Sequence, residues 1–240
     1  MGLLGRRALR SGILELPVRV EVEAHLRRPK RLEASPGPSW ATRTPDLDNV
    51  AKLVLDGLNG PRQGAGAGGW RPWRDDSQVV ALQGLKVYHA AGGEPRTVIR
   101  VLEVLEEARE AIRRIQALAD LAGAVEAWVP GPPVPQERAR PVAAGPWGVK
   151  LRPDPGAEFY ASHALLLERQ LRAPWPLGVP VAVDVVEVFP RPLEASPAWG
   201  WYTGTPDVDN VAKAVLDGLG RSGRVWADDQ QVAAGEWIKV

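Results

Sequence analysis

Cysteine is absent from this 240-residue chain, which excludes disulfides, thiolate catalysis and cysteine-based zinc or iron–sulfur centres. Histidine is nearly absent as well. The three present, His25, His89 and His163, are scattered and form no pair like that of a HExxH helix, so a histidine-built metal centre is not expected. No apolar run is long enough to cross a bilayer. The opening residues Met1-Gly-Leu-Leu-Gly-Arg-Arg7 lead into no apolar stretch with a small-residue cleavage site, so no secretory signal is expected and a cytoplasmic location is the default. A large excess of charge of either sign is missing too. The net charge is +1, so any nucleic-acid surface has to be a local patch. Metal binding, if present, falls to oxygen ligands.

What is present is a duplication. Thr44-Pro-Asp-Leu-Asp-Asn-Val-Ala-Lys-Leu-Val-Leu-Asp-Gly-Leu58 recurs as Thr205-Pro-Asp-Val-Asp-Asn-Val-Ala-Lys-Ala-Val-Leu-Asp-Gly-Leu219. Upstream, Pro17-Val-Arg-Val-Glu-Val22 returns as Pro180-Val-Ala-Val-Asp-Val185, and Leu32-Glu-Ala-Ser-Pro36 as Leu193-Glu-Ala-Ser-Pro197. Downstream, Trp73-Arg-Asp-Asp-Ser-Gln-Val79 answers Trp226-Ala-Asp-Asp-Gln-Gln-Val232. A period of about 160 residues is the size of a domain and far beyond that of a solenoid repeat.

Each copy shows the same order of elements. Val18, Val20 and Val22, like Val181, Val183 and Val185, alternate as a half-buried strand requires. From Asp48 to Leu58 the apolar positions Val50, Leu53, Val54, Leu55 and Leu58 take helical spacing. Gln78 to Val87 and Gln231 to Val240 read as strands introduced by the Asp-Asp pair. Asp48 and Asp76 are 28 positions apart and Asp209 and Asp229 only 20, the excess lying in a Gly-rich loop, Gly60 to Gly69. Copy two has a Pro-rich leader from Ala124 to Pro141 and a helix-like stretch from Glu158 to Arg172, and copy one begins inside that helix. Copy one ends with a strand, Arg96 to Leu102, that copy two lacks. Between them, Leu105, Ala108, Ile112, Ile115 and Leu118 share one helical face, which predicts a docked linker helix. The expected organisation is a first module over 1–102, the linker helix over 103–123 and a second module over 124–240.

The chemistry-bearing residues are carboxylates. Asp46 and Asp48 flank one residue at a helix start, and Asp75-Asp76 stand at the entry of a later strand, so folding can gather them at one sheet edge. Clustered carboxylates repel, and the repulsion is relieved by raised pKa values or by a hard divalent cation. Mg²⁺ suits an oxygen-only set, with Mn²⁺ as an alternative, and such an ion supports phosphodiester hydrolysis. Lys52, one turn after Asp48, shares its helical face and can meet a phosphate. In a single copy Asp48 or Asn49 reads equally well as a helix cap and Asp48, Lys52 and Asp56 as i,i+4 surface pairs, while Asp75-Asp76 alone marks a turn more often than a metal site. Recurrence of the whole set favours function.

At these residues the chain resembles the RusA-type Holliday junction resolvases: an Asp-x-Asp-Asn-x-x-Lys helix, a downstream Asp-Asp-x-Gln-Val and an upstream Pro-Val-x-Val strand. The resemblance implies three Mg²⁺-binding aspartates, Asp46, Asp48 and Asp76 in copy one and Asp207, Asp209 and Asp229 in copy two. It gives Lys52 and Lys213 the role of an assisting lysine, with Asp75 and Asp228 as lower-ranked neighbours. It implies an α+β fold of two tandem modules, each a small mixed sheet packed with helices. Because the family acts as a homodimer on a four-way junction, two modules on one chain imply an intramolecular pseudo-dimer whose two-fold symmetry matches the junction, with further self-association as an option.

Arg27, Arg28, Lys30 and Arg31, Arg71 and Arg74, and Arg138 and Arg140 are candidate phosphate contacts, although charge runs are commonly just solvated surface. Of the ten tryptophans, Trp40, Trp70, Trp73, Trp199, Trp201 and Trp226 lie near the acidic motifs, with core packing the expected use for most. The function expected is a Mg²⁺-dependent endonuclease that resolves junctions by paired nicks in recombination and repair. The alternatives are a junction-binding protein with one or both sites silent, and a metal-dependent nucleotide phosphohydrolase.

Overall fold

A computed structural model describes residues 13–32, 39–59, 72–122, 124, 129–136, 141–143, 149–151, 158–162, 179–190, 200–221 and 225–240. In chain order the strands are β1 (Val18–Leu26), β2 (Ser39–Trp40), β3 (Val79–Tyr88), β4 (Arg96–Glu103), β5 (Pro141–Ala143), β6 (Val149–Leu151), β7 (Val181–Ala182), β8 (Val185–Glu187) and β9 (Val232–Lys239). The helices are α1 (Leu47–Asn59), α2 (Ala108–Ala122) and α3 (Val208–Arg221). Residues 158–162, at the start of the expected 158–172 helix, are helical, and the rest of that stretch lies outside the described residues. Among the described residues no helix is long and apolar enough to cross a membrane.

Both copies contribute to one mixed sheet in the order β4-β1-β3-β9-β7, with β2 also on β3 and β8 also on β9. Within each copy the Pro-Val strand runs parallel to the strand that follows the Asp-Asp pair. The copies join where β3 and β9 pair antiparallel, with Gln83 opposite Glu236. Counted from Val79 and Val232, these two residues occupy the same position of the repeat. Equivalent positions therefore face each other about this pair, as a local two-fold axis through it requires. The outer strand β4 belongs to copy one and is antiparallel to β1.

One sheet face carries α1 and α3. Leu47, Ala51, Val54 and Leu55 form the buried stripe of α1, and Val208, Val211, Ala212, Val215, Leu216 and Leu219 that of α3. They pack with Val18, Val20, Val22, Trp73, Trp226 and Trp237. Each fully buried large aliphatic side chain contributes about 1.5–3 kcal/mol by leaving water. Volumes are exchanged across the local axis, Leu82 standing opposite Trp237 and Gly84 opposite Gly235. Gly84 leaves little room for a side chain, since a Cβ there would stand 3.0 Å from Leu47 of α1.

The linker helix α2 covers the other face, where Ala108, Ala111 and Ile115 meet Ala81, Ile238 and Val240. Ala108, Ile112 and Ile115 of the expected face do pack here, joined by Ala111. The two ends are corrected: Leu105 precedes the helix and is 84% exposed, and Leu118 is 54% exposed. Periodicity alone does not fix where a helix starts, and residues before its first turn lie outside it. A second correction concerns the Asp-Asp pairs. The strands begin at Val79 and Val232, and Asp76–Gln78 and Asp229–Gln231 are single 3₁₀ turns.

Candidate active site

The motif helices begin just after their first aspartate. The Asp46 carbonyl accepts from the Val50 N–H at 3.1 Å, and Asp207 from Val211 at 3.4 Å, so each aspartate closes the first helical bond while its side chain stays in front of the helix. Asn49 and Asn210 donate back to these carboxylates. The loops entering the helices contain cis peptides at Thr44-Pro45 and Thr205-Pro206. Asp48 and Asp209 lie in the first turn, with side chains 7% and 10% exposed.

The Asp-Asp turns separate two roles. Asp75 and Asp228 cap their turns, accepting from the N–H of Ser77 and Gln230 in capping boxes closed by Gln78 and Gln231. Their partners Asp76 and Asp229 are held by indole N–H groups, Trp73 donating at 2.9 Å and Trp226 at 2.6 Å. Asn59 gives Asp76 a second donor at 2.5 Å. The equivalent residue after α3's last leucine is Gly220, where any Cβ would overlap the Asp229 carboxylate. The tryptophans thus use both surfaces expected of a buried indole, an apolar body and a polar edge.

The tertiary arrangement groups these residues across the copies. Lys213 of copy two donates to Asp48 of copy one at 2.7 Å, and Lys52 of copy one to Asp209 of copy two at 3.3 Å. Asp46 and Asp48 act electrostatically on Asp229, and Asp228 on Asp46. Asp209 acts on Asp76, and Asp76 and Asp75 on Asp207. The sets taken from the sequence copy by copy are therefore regrouped. Asp46 and Asp48 stand with Asp229 and Lys213, and Asp207 and Asp209 with Asp76 and Lys52. The reason is the antiparallel β3–β9 pairing, which brings the start of each strand beside the other copy's helix.

Two lysines unmentioned in the sequence reading hold this arrangement. Lys86 and Lys239 are fully buried. The Lys86 ammonium donates to the carbonyls of Arg43, Pro45 and Gln230 at 3.2, 3.0 and 3.0 Å, and that of Lys239 to Ser77, Gly204 and Pro206 at 3.1, 3.0 and 3.1 Å. Each ties its own copy's aspartate loop to the other copy's Asp-Asp turn. The signal was available: both copies place one lysine at the same position of a largely apolar strand.

Burial dominates the electrostatics. It raises Asp46, Asp76 and Asp207 above the usual carboxylate range, and neighbouring carboxylates add to the shift. Asp229 is pushed up to about 6, by burial first, against the Trp226 bond and with repulsion from Asp217, Asp48 and Asp46. Burial lowers Lys86 and Lys239. It also presses down on Lys213, but the Asp48 and Asp217 carboxylates outweigh it and hold that ammonium above its ordinary value.

Among the described residues no group of three or more histidine, aspartate or glutamate side chains is placed to hold a metal ion. The donor set nevertheless fits a hard cation: it is all oxygen, and among the described residues Asp46 Oδ1 is buried with no hydrogen-bond partner. A ligand-ready oxygen and mutual repulsion are what such an ion relieves.

Of the basic candidates, Arg27, Lys30 and Arg31 are exposed at the end of β1. Arg28 is corrected to a structural residue. It is 7% exposed, with its guanidinium on the carbonyls of His89 and Leu32, because a long cation can satisfy several buried carbonyls at once. Arg74 is exposed and paired with Glu15 at 2.6 Å. Arg71, Arg138 and Arg140 lie outside the described residues.

Compared with known families, the chain matches Endodeoxyribonuclease RusA over residues 6–102 and 130–240. Neither a curated protein nor a solved structure matches it. The two matched segments contain the two aspartate–lysine helices and the two Asp-Asp turns, and they cover most of the sequence. The chain belongs to the RusA family of Holliday junction-resolving endodeoxyribonucleases, whose pattern it carries twice.

Proposed function

We propose that the chain is a Mg²⁺-dependent endonuclease that resolves four-way DNA junctions by paired nicks in opposing strands, as a pseudo-dimer within one polypeptide. The observation that carries this reading is the reciprocal pair Lys213–Asp48 and Lys52–Asp209. Two sites, each assembled from both copies and related by the axis through Gln83 and Glu236, suit a substrate with two equivalent scissile phosphates.

In this reading Asp46, Asp48 and Asp229 would hold one Mg²⁺ or Mn²⁺ ion, and Asp207, Asp209 and Asp76 the other. Such an ion supplies Lewis-acid polarisation of the phosphodiester and a water nucleophile at neutral pH. The protein's own groups do the rest. Trp73 and Trp226 fix the rotamers of Asp76 and Asp229, and the buried ammonium groups of Lys86 and Lys239 hold the loops at a set separation. Lys52 and Lys213, partly exposed, offer a cation to the phosphate and counter the charge that grows on its oxygens. Arg27, Lys30, Arg31 and Arg74 contact the DNA backbone without reading sequence. The role follows as recombination and repair of DNA in the cytoplasm.

Incubation with a synthetic four-way junction, with duplex and with nucleotides, each with and without Mg²⁺, tests this. Paired nicks confined to the junction and dependent on the ion are expected. Junction binding without cutting, or phosphate release from nucleotides, would overturn the proposal.

A further inference from the structure

The two sites are not equal. Parallel pairing places Glu187 of β8 beside Lys239, and Ala24 of β1 beside Lys86. Glu187 and Ala24 therefore hold the same place in the two copies, on the sheet face that carries the motif helices. Glu187 is 3% exposed, and among the described residues neither of its carboxylate oxygens has a hydrogen-bond partner.

The Lys239 charge favours this carboxylate but does not outweigh its burial, and among the described residues Lys239 gives it no hydrogen bond. Its ammonium protons go to the carbonyls of Ser77, Gly204 and Pro206. Lys86 makes the matching three bonds with Ala24 at the paired strand position and with Asp46, Asp48 and Asp228 as its acidic neighbours, so a buried lysine at this place does not need a glutamate on the adjacent strand. Those bonds also locate Glu187. Pro206 directly precedes Asp207, Ser77 directly follows Asp76, and Glu187 lies within electrostatic reach of Asp209. A buried carboxylate with no donor is costly as an anion unless a cation meets it.

A second difference points the same way. Asp76, in the site with Glu187, is held by both Trp73 and Asn59, whereas Asp229 has Trp226 and faces Gly220. One site has an additional carboxylate and a more firmly held third aspartate.

We propose that Glu187 is a further carboxylate of the cation site formed by Asp207, Asp209 and Asp76, and that this site binds a divalent cation more tightly than the one formed by Asp46, Asp48 and Asp229. The proposal rests on the reading of the aspartate clusters as cation sites. Added carboxylate charge tightens a hard-cation site, so the chain takes up its first ion on the Glu187 side.

Mn²⁺ titration of the full chain, followed by calorimetry and by the electron paramagnetic resonance signal of free Mn²⁺, tests this without reference to cleavage. Two unequal classes of site are expected. Glu187→Ala, which copies the residue found in the other half, and Glu187→Gln, which keeps the shape, are each expected to weaken the tighter class about tenfold or more. The weaker class should not move, and a thermal melt confirms that each variant is folded. Asp209→Asn separates the two levels of inference. If it removes the tighter class while both Glu187 variants leave that class intact, Glu187 is not part of the site. If it leaves both classes unchanged, the cation-site reading itself fails. One class of equal sites in the unmodified chain would also overturn the proposed inequality.

Discussion

Lys213 donates to Asp48 at 2.7 Å across 165 residues of sequence. With its counterpart from Lys52 to Asp209 the bond joins residues of both copies in each aspartate cluster, and double substitutions read that directly. Asp48→Asn with Asp229→Asn falls within one site and is expected to leave one of the two nicks. Asp48→Asn with Asp76→Asn falls in both sites and is expected to suppress both nicks by about a hundredfold or more. Strand-specific end labels on the junction distinguish the outcomes. A surviving nick in the second double variant would restore the copy-by-copy grouping.

The buried ammonium groups of Lys86 and Lys239 each satisfy three carbonyls. Lys86→Met or Lys239→Met strands those acceptors in the interior, so a loss of about 3 kcal/mol or more is expected. Urea unfolding measures it. A change below about 0.5 kcal/mol, the scale of ordinary surface substitutions, would show that the loops are held by other means.

Trp226→Phe and Trp73→Phe remove the same indole donor from unequal surroundings. Asp76 keeps Asn59, while among the described residues Asp229 keeps no side-chain donor. Trp226→Phe is therefore expected to cost more stability, by about 1 kcal/mol, and thermal melts of the two variants should rank in that order.

The metal-free protein should lose stability as pH rises. Asp229 has a folded pKa of about 6 against an ordinary 3.8, so the folded state binds the proton more tightly than the unfolded chain does. The contribution is most favourable below about pH 4 and declines as pH climbs through about 6. Burial shifts Asp46, Asp76 and Asp207 in the same direction. Melting temperature measured in chelator across this range should fall on the alkaline side, and added Mg²⁺ should recover more of it at pH 7.5 than at pH 5.

Arg27, Lys30 and Arg31 are exposed, whereas Arg28 is buried on backbone carbonyls. Alanine at any of the first three is expected to lower the salt dependence of junction affinity by about one counterion without altering stability. Arg28→Ala is expected to lower the melting temperature instead. Fluorescence anisotropy over a salt series, beside a melt, separates the two effects.

Much of the local structure was legible because it is written in short-range pattern. Alternating valines gave β1, a 3.6-residue apolar stripe gave α1 and α3, and repetition of the motif marked Asp46, Asp48, Asp76 and their counterparts as residues to follow. Leu105 misled because a stripe in sequence extends past the physical start of the helix, and Leu118, inside α2, is left exposed. Glu187 gave no signal, since a lone glutamate in a valine-rich strand is unremarkable until its neighbours are known.

The sequence by itself determined that this protein is a duplicated aspartate–lysine module with no recourse to thiols and little to imidazoles. Those are properties of residue type and spacing, which need no fold to be read. Only the tertiary structure decided which aspartate stands with which lysine, that Lys86 and Lys239 brace the two loops, and that one site carries an extra carboxylate. The deciding contact is the antiparallel pairing of β3 with β9, a long-range backbone register that no local pattern encodes.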